Sequence, residues 1–260
     1  MRKTTIVVPC YNESERLDTR AFAGFVADHE GVDFLFVNDG STDATMEKLE
    51  KLHRADPERL KYLDLEENSG KAEAVRRGVA KALEDGCDNV GYWDADLATG
   101  LEEIPPFAEI IDTTETNIVL ASRVKLLGRE IERKAMRHYL GRVFATCASL
   151  ILRLPVYDTQ CGAKLFRRTP ILEEVFSKPF RVRWTFDVEL LARYMALEKE
   201  RGVKRPESKW VEYPVHRWVD VQGSKLGYAD FLSGGLDLVK LFAYLHLPIA
   251  RGLYMRYLRR

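Results

Sequence analysis

The sequence predicts an α/β fold, with a mostly parallel central sheet flanked by helices. Three observations carry the prediction. Apolar runs of strand length alternate with longer helix-patterned stretches through the first 121 residues. Most of these runs are continuously apolar rather than alternately polar, as expected for strands covered on both faces, whereas "LKYLDL" carries Lys61 and Asp64 in its interior. A polar cluster also follows each of the first four runs, and sheets of this kind bind ligands at their carboxyl ends.

The elements follow in order. "TTIVVP" (4–9) reads as a buried strand and "SERLDTRAFAGFVADH" (14–29) as a helix. "DFLFVN" (33–38) is a strand, and "STDATMEKLEKLHR" (41–54) a helix with Ser41 or Thr42 as its N-cap. "LKYLDL" (60–65) is a strand, and "SGKAEAVRRGVAKALEDG" (69–86) a helix stopped by Gly86. "NVGYWD" (89–94) is a strand, "GLEEIPPFAEIID" (100–112) a broken helix and "TNIVLA" (116–121) a strand. Past Val124 the pattern changes. A loop, "KLLGREIERKA", leads to a helix from Met136 to Leu152. A segment "DTQCGAKLFRR", a helix over "FDVELLARYMALEKE", a strand in "KWVEYPV", a polar loop "RWVDVQGSKL" and a C-terminal helical stretch complete the chain. The expected organisation is a catalytic unit over 1–235, split at 122/123 into two halves, then a basic amphipathic segment over 236–260.

Composition narrows the partners. The 260 residues are 46% hydrophobic and carry no formal net charge, so no nucleic-acid-binding signature is present. The charge is uneven: residues 240–260 contain Lys240, Arg251, Arg256, Arg259 and Arg260 and no acid. Pro248 and Gly252 are expected to break this stretch into two short helices. Its aromatic and leucine side chains, among them Phe242, Tyr244, Leu247, Leu253, Tyr254, Tyr257 and Leu258, suit an anionic membrane surface. A helix packed on the catalytic unit and an oligomer contact are the alternatives. The four cysteines show no zinc spacing and read as reduced thiols. No signal-peptide pattern precedes the first strand, and the longest weakly polar run, "VFATCASLIL", is too short to span a bilayer.

The polar clusters carry the chemistry. In "VGYWDADLAT", Asp94 and Asp96 stand two apart at the end of an apolar run. In an extended chain both would face one side, where like charges repel. A cation between them resolves the repulsion. The other clusters are "PCYNES", "NDGSTD" and "ENSGKAEA"; each alone reads equally well as an ordinary βα turn, but four on one rim form a site.

With these residues in view, the chain resembles the inverting family 2 glycosyltransferases, and more narrowly the polyprenyl-phosphate group that includes the dolichyl-phosphate β-glucosyltransferases. "VVPCYNES", "VNDGSTD" (Asn38 standing for the usual first aspartate), "DADLAT", "DTQCGAKLF", "RWTFDVELL" and "GSKL" carry the likeness. The resemblance implies a GT-A nucleotide-diphospho-sugar transferase fold. It implies Mg²⁺ or Mn²⁺ on Asp94 and Asp96, and a nucleotide sugar, UDP-glucose first, as donor. A GDP-mannose-dependent mannosyltransferase, a family 2 enzyme with a soluble acceptor and a non-catalytic sugar-nucleotide-binding protein are the other readings.

On this reading Pro9, Tyr11, Asn12, Glu13, Asp39, Lys71, Asp94, Ala95 and Lys225 line the donor site. Tyr11 packs on the base, Glu13 accepts from the ribose, and Asp39 accepts from the uracil imide. Lys71 opens a helix, where a cation opposes the dipole, so a ligand or an acidic neighbour is expected beside it. Lys225, with Ser224, is expected to close over the diphosphate. Trp184 and residues 187–189 shape the sugar pocket, or Trp184 packs in the core. A phosphate acceptor needs cations, and Arg123, Arg133 and Arg137 are the candidates; a solvated basic helix face is the alternative. Asp158 would serve as base for an alcohol acceptor, or else anchors its loop. The resemblance points to the cytoplasmic face of a membrane, with peripheral attachment and a polyprenyl phosphate as acceptor. Oligomeric state is left open.

Overall fold

The computed structural model describes residues 2–132, 135–221 and 228–259; the side chains of 135–138 and 228–232 lie outside the description. A seven-stranded sheet forms the centre, in the order β3-β2-β1-β4-β7-β5-β8. Its strands are β1 (Thr4–Cys10), β2 (Val32–Asp39), β3 (Leu60–Leu65), β4 (Asn89–Trp93), β5 (Ile118–Ser122), β7 (Ala163–Arg167) and β8 (Trp210–Pro214). The first four strands pair in parallel. Register brings their carboxyl ends level: Cys10 lies opposite Asn38, and Asp39 opposite Leu65. The sheet buries both faces. Val7, Val37 and Tyr92 point into one core, while Ile6, Phe34 and Trp93 point into the other.

Helices α1 (Thr19–Asp28), α2 (Thr45–Ala55), α3 (Lys71–Glu84) and α4 (Ile104–Thr113) cross between these strands. Then come α5 (Ala135–Leu152), α6 (Pro170–Ser177), α7 (Phe186–Glu200), α8 (Tyr228–His246) and α9 (Pro248–Arg259). The mostly parallel α/β fold, the flanking helices and the C-terminal helices are all present. Gly78 shows why α3 lies so close to the sheet: a Cβ there would stand 2.4 Å from Val7 Cγ1.

Several local expectations are corrected. The first helix starts at Thr19 rather than Ser14, because the Asp18 carboxylate accepts from the amides of Arg20 and Ala21 and caps it there. The second starts at Thr45, since Ser41 and Thr42 are tied to Asn12 across the rim and cannot cap it. β7 is antiparallel to both β4 and β5, so it reverses the sheet's direction at one strand. The two supposed loops after Val124 and Arg217 contribute β6 (Glu130–Glu132) and β9 (Arg217–Val219), which pair with each other in parallel. Pro248 does break the C-terminal stretch, but Gly252 lies inside α9. The expected division at 235/236 falls within α8, where Gly234 lets the helix approach Trp184; a Cβ there would stand 3.1 Å from the ring. The described residues contain no helix long and apolar enough to cross a membrane.

Candidate active site

The polar clusters meet at the carboxyl ends of β1, β2 and β4. After β1 the chain turns at Asn12, whose φ of 52° is left-handed. Asparagine tolerates that conformation, and its side chain earns a local bond there. The Asn12 amide donates to Ser41 Oγ at 3.0 Å, and the Thr42 amide donates to Asn12 Oδ1 at 2.8 Å. The Glu13 amide donates to Thr45 Oγ1, and its buried carboxylate accepts from Arg16 Nε at 2.8 Å. Pro9 is part of β1, opposite Val37, and Tyr11 is exposed at the mouth. Asp39 is buried, and its two oxygens accept the amides of Ser69 and Gly70, each at 2.8 Å. It therefore holds the start of α3 against β2, so that the uracil contact expected of it would use a carboxylate already engaged.

That anchoring places Lys71, the first residue of α3. Its ammonium forms an ion pair with Asp94. The acidic neighbour expected for a cation at this helix end is thus Asp94 itself. Desolvation works against the charge of Lys71, whose side chain is still 44% exposed, but Asp94, Asp187 and Asp96 outweigh it and raise its pKa above the ordinary lysine value.

Asp94 and Asp96 do not continue the strand. β4 ends at Trp93, and residues 95–96 form a turn, with Leu97 at a φ of 52°. The turn brings the acids together without the expected extended backbone. Burial, and then the Asp94 charge, raise the Asp96 pKa. The Ala98 amide, donating to Asp96 Oδ1 at 3.1 Å, works in the other direction. Ala95 between the acids is buried. Two hard oxygen ligands held in mutual repulsion fit a divalent cation of the Mg²⁺ or Mn²⁺ type. Among the described residues no group of three or more His, Cys, Asp or Glu could hold a metal, so further ligands would come from substrate and water.

The loop before β7 forms the next wall. The Asp94 amide donates to Gly162 O at 3.0 Å, and a Cβ on Gly162 would lie 1.8 Å from Asp94 Oδ2. Gly162→Ala is therefore expected to push the carboxylate aside, weaken Mn²⁺ binding and lower turnover by about 10²-fold. Mn²⁺ titration and steady-state rates read this directly; parental values of both would show that the contact has no functional weight.

The same loop carries Asp158, which is buried and gripped by Arg123 through two bonds, Nε to Oδ2 at 2.6 Å and Nη2 to Oδ1 at 2.8 Å. Asp158 also accepts the Gln160 amide, and the Glu212 carboxylate on β8 accepts the amides of Tyr157 and Asp158. Burial opposes the Arg123 charge, yet Asp158 raises its pKa. Arg123 and Asp158 are thus engaged with each other: the guanidinium fork expected for phosphate and the carboxylate expected as base or loop anchor share one ion pair. Arg133, Ser224 and Lys225 lie outside the described residues, as does the Arg137 side chain, although its backbone is in α5.

Of the residues expected at the sugar pocket, Asp187 is one of the charges that act on Lys71. It bonds the Tyr92 hydroxyl and pairs with Lys164 Nζ at 2.6 Å. Lys164 is fully buried and also donates to Cys161 O. Its signal was a lysine inside the apolar strand "AKLF", which sequence reasoning passed over. Glu189 serves the core instead: fully buried, it pairs with buried Arg193 and accepts the amides of Arg181 and Val182 and the Tyr254 hydroxyl of α9. Trp184 packs edge-to-face with Phe144, and its amide donates to Asp237 of α8.

A doubly covered sheet with a paired-acid turn and a lysine at its carboxyl rim is the arrangement of a nucleotide-sugar transferase of the GT-A fold. Residues 5–175 match Glycosyl transferase family 2, and the chain belongs to that family of enzymes. It is 33% identical over 261 residues to the dolichyl-phosphate beta-glucosyltransferase of Drosophila melanogaster, covering 92% of this chain and 74% of the relative. It is 31% identical over 255 residues to dolichyl-phosphate beta-glucosyltransferase ALG5C of Trichomonas vaginalis, covering 93% and 71%. In fold it is similar to glucosyl-3-phosphoglycerate synthase from Mycobacterium tuberculosis, solved with Mn²⁺, uridine-diphosphate-glucose and glycerol 3-phosphate. The TM-score is 0.62 at 16% identity, over 93% of this chain and 79% of that one.

Proposed function

We propose that this glycosyltransferase moves glucose from UDP-glucose to a polyprenyl phosphate, inverting the anomeric carbon. The observation that carries the reading is the clamp of Arg123 on Asp158. An alcohol acceptor must lose a proton to a base, and the carboxylate expected for that work is engaged in two bonds to a guanidinium. A phosphomonoester is already ionised near neutral pH and attacks without such help. The relatives named for dolichyl phosphate support the same acceptor class.

In the reaction an acceptor phosphate oxygen attacks the glucose anomeric carbon as its bond to the UDP β-phosphate oxygen breaks. UDP leaves with the bonding pair. Asp94 and Asp96 would hold Mg²⁺ or Mn²⁺, which supplies Lewis-acid neutralisation of the charge gathering on the diphosphate. Lys71 adds a fixed positive charge at the same place. Tyr11, Asn12 and Glu13 form the nucleoside wall, and Lys225 is assigned to the diphosphate by its motif. Arg133 and Arg137 would orient the acceptor phosphate, and the lipid nature of that acceptor implies work at a membrane surface. Nucleotide titration tests the donor: UDP is expected to bind at least about tenfold tighter than GDP in the presence of Mn²⁺. Tighter GDP binding would overturn the assignment in favour of a mannosyl donor.

A further inference from the structure

Among the described residues, six of the thirteen exposed large apolar side chains lie on two neighbouring helices. On α5, Tyr139, Val143 and Leu150 are exposed, with Tyr139 at 70% and Leu150 at 72%. At about 100° per residue they share an arc of about 40° on one face. On α8, Leu236, Val239 and Phe242 are exposed, while Leu238 and Leu241 turn inward to the core. α5 and α8 pack against each other, and His246 at the end of α8 bonds Ile151 O at the end of α5 at 2.8 Å. Just past the α8–α9 junction, Ile249 of α9 is 84% exposed. Soluble surfaces rarely gather so many large apolar side chains without a partner.

The basic tail behaves otherwise. Its Tyr254 and Leu258 are buried, and Tyr257 donates to Pro179 O at 2.7 Å. Arg259 pairs with Glu200. Three of the four apolar residues expected to meet a membrane from α9 are thus spent on holding it to the body, and Leu253 stays exposed. The charge around the exposed rows is nonetheless mainly cationic. Neither α5 nor α9 contains an acid; α8 contains two, Asp230 and Asp237, of which Asp237 is buried and paired with Lys240. Arg153, Arg251 and Arg256 are exposed at the ends and flanks of α5 and α9. Exposed apolar rows with a cationic border match the apolar interior and anionic headgroups of a lipid leaflet.

We propose that the paired outer faces of α5 and α8 form a plate that beds into an anionic lipid leaflet, with α9 as a brace clamped to the catalytic body. The inference rests on the reading of a membrane-borne acceptor and deepens it. In sequence, α5 follows Arg133 and includes Arg137, the arginines proposed for the acceptor phosphate.

Flotation with vesicles of phosphatidylcholine mixed with phosphatidylglycerol tests the plate, using the full chain and the double variant V143E/V239E. Cys147 on α5 is exposed while the other three cysteines are buried, so an environment-sensitive fluorophore can be placed there selectively. The parent is expected to float, with a blue shift of the Cys147 probe. The variant is expected to lose at least about tenfold in partitioning. It should keep parental turnover of a short, water-soluble prenyl phosphate. If the acidic variant fails to fold by circular dichroism, V143S/V239S takes its place, with the same loss expected. Unchanged flotation of a folded variant, or a probe that stays in water on bound protein, overturns the proposal. So does a parental dimer that the variant dissociates while vesicle binding persists, which would make the face a contact with a second copy. If no prenyl phosphate is turned over in any form while flotation and the probe shift hold, the acceptor reading fails and the plate stands.

Discussion

Asp96→Ala is expected to lower turnover by about 10³-fold while leaving the fold intact, because it removes one of two oxygen ligands from the centre that receives the leaving group's charge. Saturating Mn²⁺ should not restore the rate. A near-parental rate under those conditions would remove Asp96 from the metal site. Asp96→Asn adds a second readout. Burial and Asp94 raise the Asp96 pKa in the folded chain, so the native state holds this proton more tightly than the unfolded state does. The stability linked to that proton is present at low pH and is lost as pH rises through the folded value. At neutral pH in EDTA the charge is therefore a native-state cost, and Asp96→Asn is expected to melt at a higher temperature than the parent while being equally inactive. Calorimetry between pH 4 and 8 should show the difference shrinking toward low pH. A lower melting temperature at pH 7 would contradict the sign.

Glu189→Ala is expected to be the most destabilising single change, at about 3–5 kcal/mol. It leaves the fully buried Arg193 guanidinium without its carboxylate and the amides of Arg181 and Val182 without their acceptor. The Tyr254 hydroxyl also loses its acceptor, so α9 should loosen with the core. Denaturant unfolding gives the magnitude, and hydrogen exchange at Tyr254 and its neighbours reports the brace. A loss below about 1 kcal/mol would mean that the pair contributes no more than a surface ion pair.

The parallel half of the fold was legible because strands covered on both faces need unbroken apolar runs, and "TTIVVP", "DFLFVN" and "NVGYWD" supply them. The rim followed from the same fact: once the strands are parallel, the segments after them must meet. The direction of β7 was not legible. Five residues, one of them Lys164, carry no local sign of polarity, and only pairing with β4 and β5 sets it. β6 and β9 have three residues each and exist through each other. At the site, residue types singled out Asp94, Asp96 and Lys71, and the fold brings these three together. Arg123 and Asp158 stand 35 positions apart, which conceals their ion pair, so the sequence offered Arg123 to a phosphate and left Asp158 open between base and loop anchor. The same holds for Asp187 and Lys164, and for Glu189 and Tyr254. Whether an ionisable group faces a ligand or another side chain depends on such long-range pairing, which residue type alone does not reveal.

The central claim is tested most directly by offering the purified chain a panel of sugar nucleotides with Mn²⁺ and a polyprenyl phosphate in vesicles, and identifying the lipid product by mass and by anomeric proton coupling. The account predicts turnover with UDP-glucose above all other donors, release of UDP, and a β-linked glucosyl phospholipid. Preferential turnover of GDP-mannose, an α-linked product, or transfer only to soluble alcohols would contradict it.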